Sequence, residues 1–174
     1  LATTDLLTGA MNRRSFIKAS QIEIDRSERY DTPSSLIFCD IDFFKNINDE
    51  YSHSTGDIVL KEFAREIMSN LRTNDYICRW GGEEFLIFAT ETKLDSAEKL
   101  AQKLRKKIME LSIKPIKEQV TCSFGVAQRV DGESLNELCE RADAALYSAK
   151  NSGRNKVCVS EATCTTENND IKCT

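Results

Sequence analysis

The 174-residue sequence has few of the side chains that bind zinc. It contains a single histidine, His53, and its seven cysteines include no pair with Cys-x-x-Cys spacing. Zinc sites draw on closely spaced cysteines and histidines, so the sequence does not indicate one. The cysteine count is odd, and several cysteines lie within apolar stretches. We therefore expect reduced thiols in the core of a cytoplasmic protein.

Long apolar runs and basic stripes are also missing. No run approaches the ~20 apolar residues that cross a bilayer, and the N-terminus lacks the apolar stretch of a signal peptide. The formal net charge is −4, from 24 basic and 28 acidic residues that are interspersed. Since a nucleic-acid surface needs a basic stripe, we expect no nucleic-acid partner, and no direct membrane contact by this domain. The chain starts at Leu1 rather than Met, so we expect a regulatory region upstream in a longer protein.

Apolar periodicity predicts one α+β domain over residues 1–160, with helices packed around a central sheet. We expect a mostly antiparallel sheet of about five strands, because a hairpin interrupts the alternation of strands and helices. Two long helices are predicted to begin with capping pairs, Ser54 with Asp57 and Ser134 with Glu137. Residues 161–174 are polar and aperiodic, and are predicted to be disordered. The predicted strands lie in SSLIFCDIDFF, DYICRW, FLIFAT, EQVTCSFGVAQRV and KVCVS.

The stretch RWGGEEF, residues 79–85, places two adjacent carboxylates directly after a Gly-Gly turn. An earlier predicted strand carries Asp40 on the same face as apolar residues. If that strand lies beside the hairpin, the carboxylates of Asp40, Glu83 and Glu84 converge, and their repulsion raises their pKa values. A divalent cation removes the repulsion, and oxygen-only ligands favour Mg²⁺ or Mn²⁺. The alternative is that Asp40 lies at an exposed strand end or caps the following helix.

Magnesium held by few carboxylates usually shares its coordination shell with phosphates. A short helix predicted after the first strand would present the backbone N–H groups of Phe43 and Phe44 to such an anion, with Lys45 nearby. Lys150 and Arg154 form a second cationic pair, which alternatively only complements the C-terminal end of the last helix. The Gly-x-x-x-x-Gly-Lys-[Ser/Thr] motif is absent, which excludes a P-loop.

Five blocks of the sequence resemble the GGDEF family of diguanylate cyclases, in the family's order. The blocks are DLLTGAMNRRSF, DIDFFKNINDEYSHSTGD, RWGGEEF, SFGVA and ADAALYSAKNSGRN. The resemblance implies a fold similar to the palm of nucleotide cyclases and polymerases, and the condensation of two GTP into cyclic di-GMP with release of two pyrophosphates. It also implies a homodimer, since each domain binds one GTP. The alternative is a non-catalytic receptor for GTP or cyclic di-GMP.

The resemblance further implies two Mg²⁺ or Mn²⁺ ions per active site, held by the side chains of Asp40 and Glu83 and the backbone carbonyl of Ile41. Glu83, Glu84 and Lys45 would be catalytic, with Glu84 a candidate to help deprotonate the attacking 3′-oxygen. A larger set would bind the substrate. It comprises Asn48, Asp57, Phe43, Phe44, Lys45, His53, Leu60, Gly81, Gly82, Lys150 and Arg154.

Within that set, Asn48 and Asp57 would read guanine. A carboxylate accepts from guanine N1–H and the N2 amine, whereas adenine would leave Asp57 unpaired at a cost of about 1–3 kcal/mol. The RTND stretch gives Arg72 and Asp75 the spacing of the family's inhibitory product site, although the same pattern also makes an ordinary surface ion pair. Ser52 departs from the family's usual glycine, and would be strained if φ were positive there.

Overall fold

The computed structural model describes residues 2–162 and 170–174 of the chain. Within this described part there are seven strands and five helices. None of the described helices is long and apolar enough to cross a membrane. In chain order the elements are β1 (Met11–Asn12), α1 (Arg13–Tyr30), β2 (Ser35–Ile41), α2 (Phe44–Glu50), α3 (His53–Asn70), β3 (Tyr76–Gly81), β4 (Glu84–Ala89), α4 (Leu94–Met109), β5 (Cys122–Gln128), α5 (Leu135–Asn151), β6 (Val157–Glu161) and β7 (Asp170–Cys173).

The described strands form a single sheet in the order β1-β3-β4-β2-β5-β6-β7. The pairs β3–β4, β4–β2, β2–β5 and β6–β7 are antiparallel, while β1–β3 and β5–β6 are parallel. The prediction of an α+β fold with a mostly antiparallel sheet is therefore confirmed. The strand count is seven among the described residues rather than about five, because a two-residue strand and a C-terminal strand lack a strand pattern in the sequence.

Helices cover both faces of the sheet, so every residue of the central strand β2 is buried. Leu36 and Phe38 join a core cluster with residues of α1 and α5, whereas Ile37 and Cys39 join a cluster with residues of α3 and α4. Because side chains alternate along a strand, Asp40 continues the face of Leu36 and Phe38. The acidic end of β2 therefore lies on the side of the sheet that α5 covers.

Helix α5 packs directly against the backbone of β5. A Cβ atom at Gly125 would lie 2.1 Å from the carbonyl oxygen of Ala142 and 2.3 Å from the nitrogen of Leu146. Only glycine permits this approach. The predicted cap of this helix is confirmed, since Ser134 and Glu137 form a reciprocal capping box at its start.

Two sequence-based predictions are wrong at the C-terminus. Residues 170–173 form β7, which pairs with β6, and are not disordered. Cys158 and Cys173 are joined by a disulfide across this strand pair and are therefore not reduced thiols. Both errors arise because β7 depends on a partner strand rather than on an apolar pattern of its own. The predictions for residues 163–169 and Cys164 lie outside the described residues.

The predicted cap of α3 at Ser54 is also wrong. The helix begins at His53, and the hydroxyl of Ser52 accepts the backbone N–H of Thr55 at 3.2 Å. Both serines are of a type that starts helices, and only the geometry of the preceding turn selects between them. Ser52 has a φ of 167°, which is extended backbone, so serine causes no strain in place of glycine.

Candidate active site

Four of the residues singled out in the sequence meet at one end of the central sheet. Asp40 on β2 lies directly opposite Glu84 on β4 in the antiparallel register. The backbone N–H of Ile41 donates to the carbonyl oxygen of Glu83 at 3.3 Å. The end of β2 and the Gly-Gly hairpin are thus fixed to each other by backbone pairing.

Burial makes this end of the sheet unfavourable for negative charge. Only 8% of Asp40 is exposed. Loss of contact with solvent, together with the charges of Glu83 and Glu84, raises the pKa of Asp40 to about 6, although the Nζ atom of Lys150 lies 2.7 Å from its Oδ2 atom and acts in the opposite direction. The pKa of Glu84 is also raised, first by burial and then by the charges of Asp143 and Glu83. One lysine does not offset this concentration of carboxylates.

The carboxylates of Asp40 and Glu83 are suitable ligands for a hard divalent cation that takes its remaining ligands from water or a bound substrate. Among residues 2–162 and 170–174, no group of three or more His, Cys, Asp and Glu side chains is arranged to hold a metal ion. Asp40 and Glu83 could therefore supply only part of a coordination shell. Mg²⁺ and Mn²⁺ suit such a site because they share their shells with water and phosphate oxygens.

Asp42 ties the loop after α5 to the sheet. Its carboxylate accepts hydrogen bonds from the hydroxyls of Thr121 and Ser123, both at 2.7 Å, and from the backbone N–H of Asn155 at 3.0 Å. These bonds occupy the carboxylate, so Asp42 holds the loop in place rather than facing a ligand. No sequence signal indicates this role, because Asp42 and Asn155 are 113 positions apart.

The predicted phosphate-binding residues come from two segments that contact each other. Phe43, at the start of α2, and Arg154, in the loop after α5, both adopt left-handed backbone conformations. The Arg154 guanidinium lies 4.6 Å from the centroid of the Phe43 ring. Lys45 is exposed on α2, and Lys150 lies at the end of α5 beside Asp40. Of these cationic groups, Lys150 is the one that contacts a carboxylate of the site.

The predicted guanine-reading residues lie on two neighbouring helices. Asn48 is half-buried on α2, and Asp57 is exposed in α3. Phe44 and Leu60 are buried in the core cluster beneath these helices. His53, the first residue of α3, is exposed. The structure therefore places Asn48 and Asp57 on two helices that contact each other.

The Gly-Gly hairpin is open on its outer side. Gly82 has a φ of +34°, and a Cβ atom there would meet nothing within 4 Å, while one at Gly81 would lie 3.9 Å from Oε2 of Glu84. The Nε atom of Arg79 donates to the carbonyl of Gly82 at 2.9 Å, and its Nη1 atom lies 3.4 Å from Oδ1 of Asp5. No local sequence signal assigns a role to Asp5 or Arg79, because their contact spans 74 positions.

Arg72 and Asp75 lie at the other end of β3 from the two glycines. The Asp75 carboxylate accepts the backbone N–H of Arg72 at 3.1 Å and that of Thr90 at 3.2 Å. The Arg72 side chain is exposed. Since β3 has six residues, at ~3.3 Å each the two ends are about 20 Å apart. The two regions are therefore separate sites.

Comparison with known sequences identifies the class of domain. A family model described as "Diguanylate cyclase, GGDEF domain" matches residues 2–156. The chain therefore belongs to the GGDEF family.

Curated relatives extend well beyond this chain. Diguanylate cyclase DgcM of Escherichia coli strain K12 is 42% identical over 153 residues, which cover 88% of this chain and 37% of the relative. Response regulator PleD of Caulobacter vibrioides strain NA1000 / CB15N is 41% identical over 165 residues, which cover 90% of this chain and 36% of PleD. The chain thus spans little more than a third of the length of these relatives.

Solved GGDEF domains share the fold over most of the chain. The GGDEF domain of DgcB from Caulobacter crescentus, solved with cyclic di-GMP, matches with a TM-score of 0.86 and 34% identity, over 91% of this chain and 96% of that domain. An active GGEEF domain of a diguanylate cyclase from Vibrio cholerae matches with a TM-score of 0.83 and 33% identity, over 87% of this chain and 98% of that domain.

Proposed function

We propose that this domain is the catalytic part of a diguanylate cyclase, which joins two GTP molecules into cyclic di-GMP and releases two pyrophosphates. The observation that carries the proposal is the buried Asp40 carboxylate, opposite Glu84 and beside Lys150, at the end of the sheet next to the Gly-Gly hairpin. A receptor that only binds nucleotide does not require a buried carboxylate with a raised pKa, such as that of Asp40. The buried Asp40 carboxylate therefore favours catalysis over the receptor alternative.

The chain's own residues divide the work of the reaction. Asp40, Glu83 and the carbonyl of Ile41 are the proposed ligands of two Mg²⁺ or Mn²⁺ ions, which would supply stabilisation of charge on the attacking and leaving oxygens. Lys150 favours the ionised form of Asp40 through its charge-assisted hydrogen bond. Glu84 is the proposed group near the ribose 3′-hydroxyl.

The remaining residues bind and select the nucleotide. Lys45, Lys150 and Arg154 are proposed to bind the phosphates, together with the backbone N–H groups of Phe43 and Phe44. His53 is proposed to contact the substrate. The open hairpin at Gly81 and Gly82 leaves room for the nucleotide backbone. Asn48 and Asp57 are proposed to read guanine above the buried Leu60. Each domain is proposed to bind one GTP, and the reaction joins two GTP molecules, so the active species is proposed to be a homodimer. Its proposed location is the cytoplasm.

Incubation with GTP and Mg²⁺ tests the proposed activity. The purified chain at high concentration, and the chain fused to a dimeric coiled coil, are expected to form cyclic di-GMP that chromatography detects. The fused dimer is expected to be faster, because each active site needs two GTP-loaded domains. Absence of product from the fused dimer would rule out the cyclase assignment, and GTP binding without product would favour the receptor.

Replacement of Arg72 by alanine tests the proposed inhibitory site. Arg72 is expected to bind product phosphate and guanine through its exposed guanidinium, so the variant should require at least ~10-fold more added cyclic di-GMP for half-inhibition. Arg65, an exposed arginine of α3 that pairs with Glu62, provides the matched control as Arg65→Ala. Asp75 is a poorer target, since its carboxylate also holds the turn before β3. Unchanged inhibition in Arg72→Ala would remove the assignment.

A further inference from the structure

The side-chain oxygen of Asn48 is positioned by packing rather than by hydrogen bonds. Its Oδ1 atom is buried and has no hydrogen-bond partner among the described residues. A buried amide oxygen without a partner is uncommon in native proteins. The position of the amide therefore depends on the atoms packed around it.

Gly56, in the first turn of α3, provides the space that this amide occupies. A Cβ atom built on Gly56 would lie 1.9 Å from Oδ1 of Asn48, 3.0 Å from its Cγ atom and 3.1 Å from Cζ of Phe44. The amide oxygen thus stands almost where a Cβ atom at position 56 would be. Gly56 does not have a positive φ, so a left-handed backbone does not explain the glycine.

We propose that Gly56 is a positioning residue for base recognition. By leaving its side-chain space empty, it lets α2 and α3 approach closely and sets the Asn48 amide beside Asp57, the next residue of α3. This inference rests on the proposed function, in which Asn48 and Asp57 read guanine. Gly56 acts through Asn48 and need not touch the nucleotide.

An alanine at position 56 would clash mainly with the side chain of Asn48, which can move. The closest atom is the end of a flexible side chain, and Phe44 must give way by only a few tenths of an ångström. Alanine also favours a helix more than glycine does. Gly56→Ala is therefore expected to fold, with the Asn48 amide displaced from its present position.

The test measures GTP binding and turnover in Gly56→Ala, Asn48→Ala and the double variant of the full chain. Gly56→Ala is expected to weaken GTP binding about 10-fold, with kcat at saturation changed less than KM, and to keep the wild-type melting temperature. Ser69→Ala, at the exposed far end of α3, is the control and should bind GTP as the wild type does.

The double variant separates positioning from a general effect of the added methyl group. Once Asn48 is truncated, the new methyl group at position 56 has no amide to displace, so Gly56→Ala should cost no further binding in that background. Equal losses in both backgrounds, or unchanged GTP binding in the single variant, would overturn the inference. Binding is measured apart from turnover, so a wild-type fused dimer that binds GTP without forming product would refute the cyclase function and leave this test intact. A wild-type chain that binds no GTP would overturn both.

Discussion

Replacing Asp40 with asparagine is expected to reduce cyclic di-GMP formation at least ~1,000-fold while leaving the domain folded. The variant keeps the size and hydrogen-bonding shape of the side chain but removes the charge proposed to bind metal. Turnover measured by chromatography at saturating GTP and Mg²⁺ checks the expectation. A variant with wild-type turnover would exclude Asp40 as a metal ligand.

The same substitution is expected to increase stability at neutral pH in the absence of metal. Burial raises the pKa of Asp40 to about 6 in the folded chain, above its ordinary value of 3.8, so folding favours the protonated form. The wild type therefore loses stability as the pH rises from about 4 to 6, whereas the uncharged amide of the variant carries no such penalty. We expect Asp40→Asn to be about 2 kcal/mol more stable at pH 8, measured by urea unfolding. Added Mg²⁺ and GTP should narrow this difference by stabilising only the wild type.

Asp42→Asn is the matched control, since Asp42 is two residues away and is also buried. Its carboxylate accepts three protein hydrogen bonds, from Thr121, Ser123 and Asn155. An asparagine amide cannot accept all of them, so this variant is expected to lose stability. If both variants lost stability to the same degree, Asp40 would be a structural residue and the proposed division between the two aspartates would be wrong.

Gly125→Ala is expected to destabilise the fold by about 3 kcal/mol or more. The added methyl group would overlap the backbone of Ala142 and Leu146, which cannot rotate away as a side chain can. Helix α5 would have to move off the sheet, which would also withdraw Lys150 from Asp40. Urea unfolding followed by circular dichroism measures the loss.

A second glycine variant separates this clash from a general effect of replacing glycine. At Gly81 an added Cβ atom would have no neighbour closer than 3.9 Å, and φ is not positive. Gly81→Ala is therefore expected to keep the stability of the wild type, whatever it does to nucleotide binding. Wild-type stability in Gly125→Ala would show that α5 can be displaced without cost, contrary to the packing described.

Local patterns were sufficient for the long elements of this fold. Strands such as β2 carry continuous apolar runs, and α5 carries a capping box, so both could be placed from the sequence. The two strands that were not predicted, β1 and β7, have only two and four residues. They form by pairing with β3 and β6, respectively. No local pattern can report a partner that lies elsewhere in the chain.

In the candidate site, too, local patterns were informative and long-range contacts were not. Asp40, Glu83 and Glu84 could be identified as candidates because carboxylates without an evident partner beside apolar strands are unfavourable. The contacts that hold the site together could not be predicted from the sequence. One example is the contact between Asp5 and Arg79, which are 74 positions apart. Such long-range hydrogen bonds depend on the register of the completed sheet, which the residue types alone do not encode.

Strand β6 shows that the unit matched by a family model and the unit that folds need not end at the same residue. The family match stops at residue 156, directly before β6, yet β6 pairs with β5 and is joined to β7 by a disulfide. An expression truncation at the end of the match would remove both strands and leave the edge of β5 without a partner. Open edges of this kind invite intermolecular pairing and aggregation. Domain boundaries for recombinant work on this protein should therefore follow the sheet and retain the chain to Thr174.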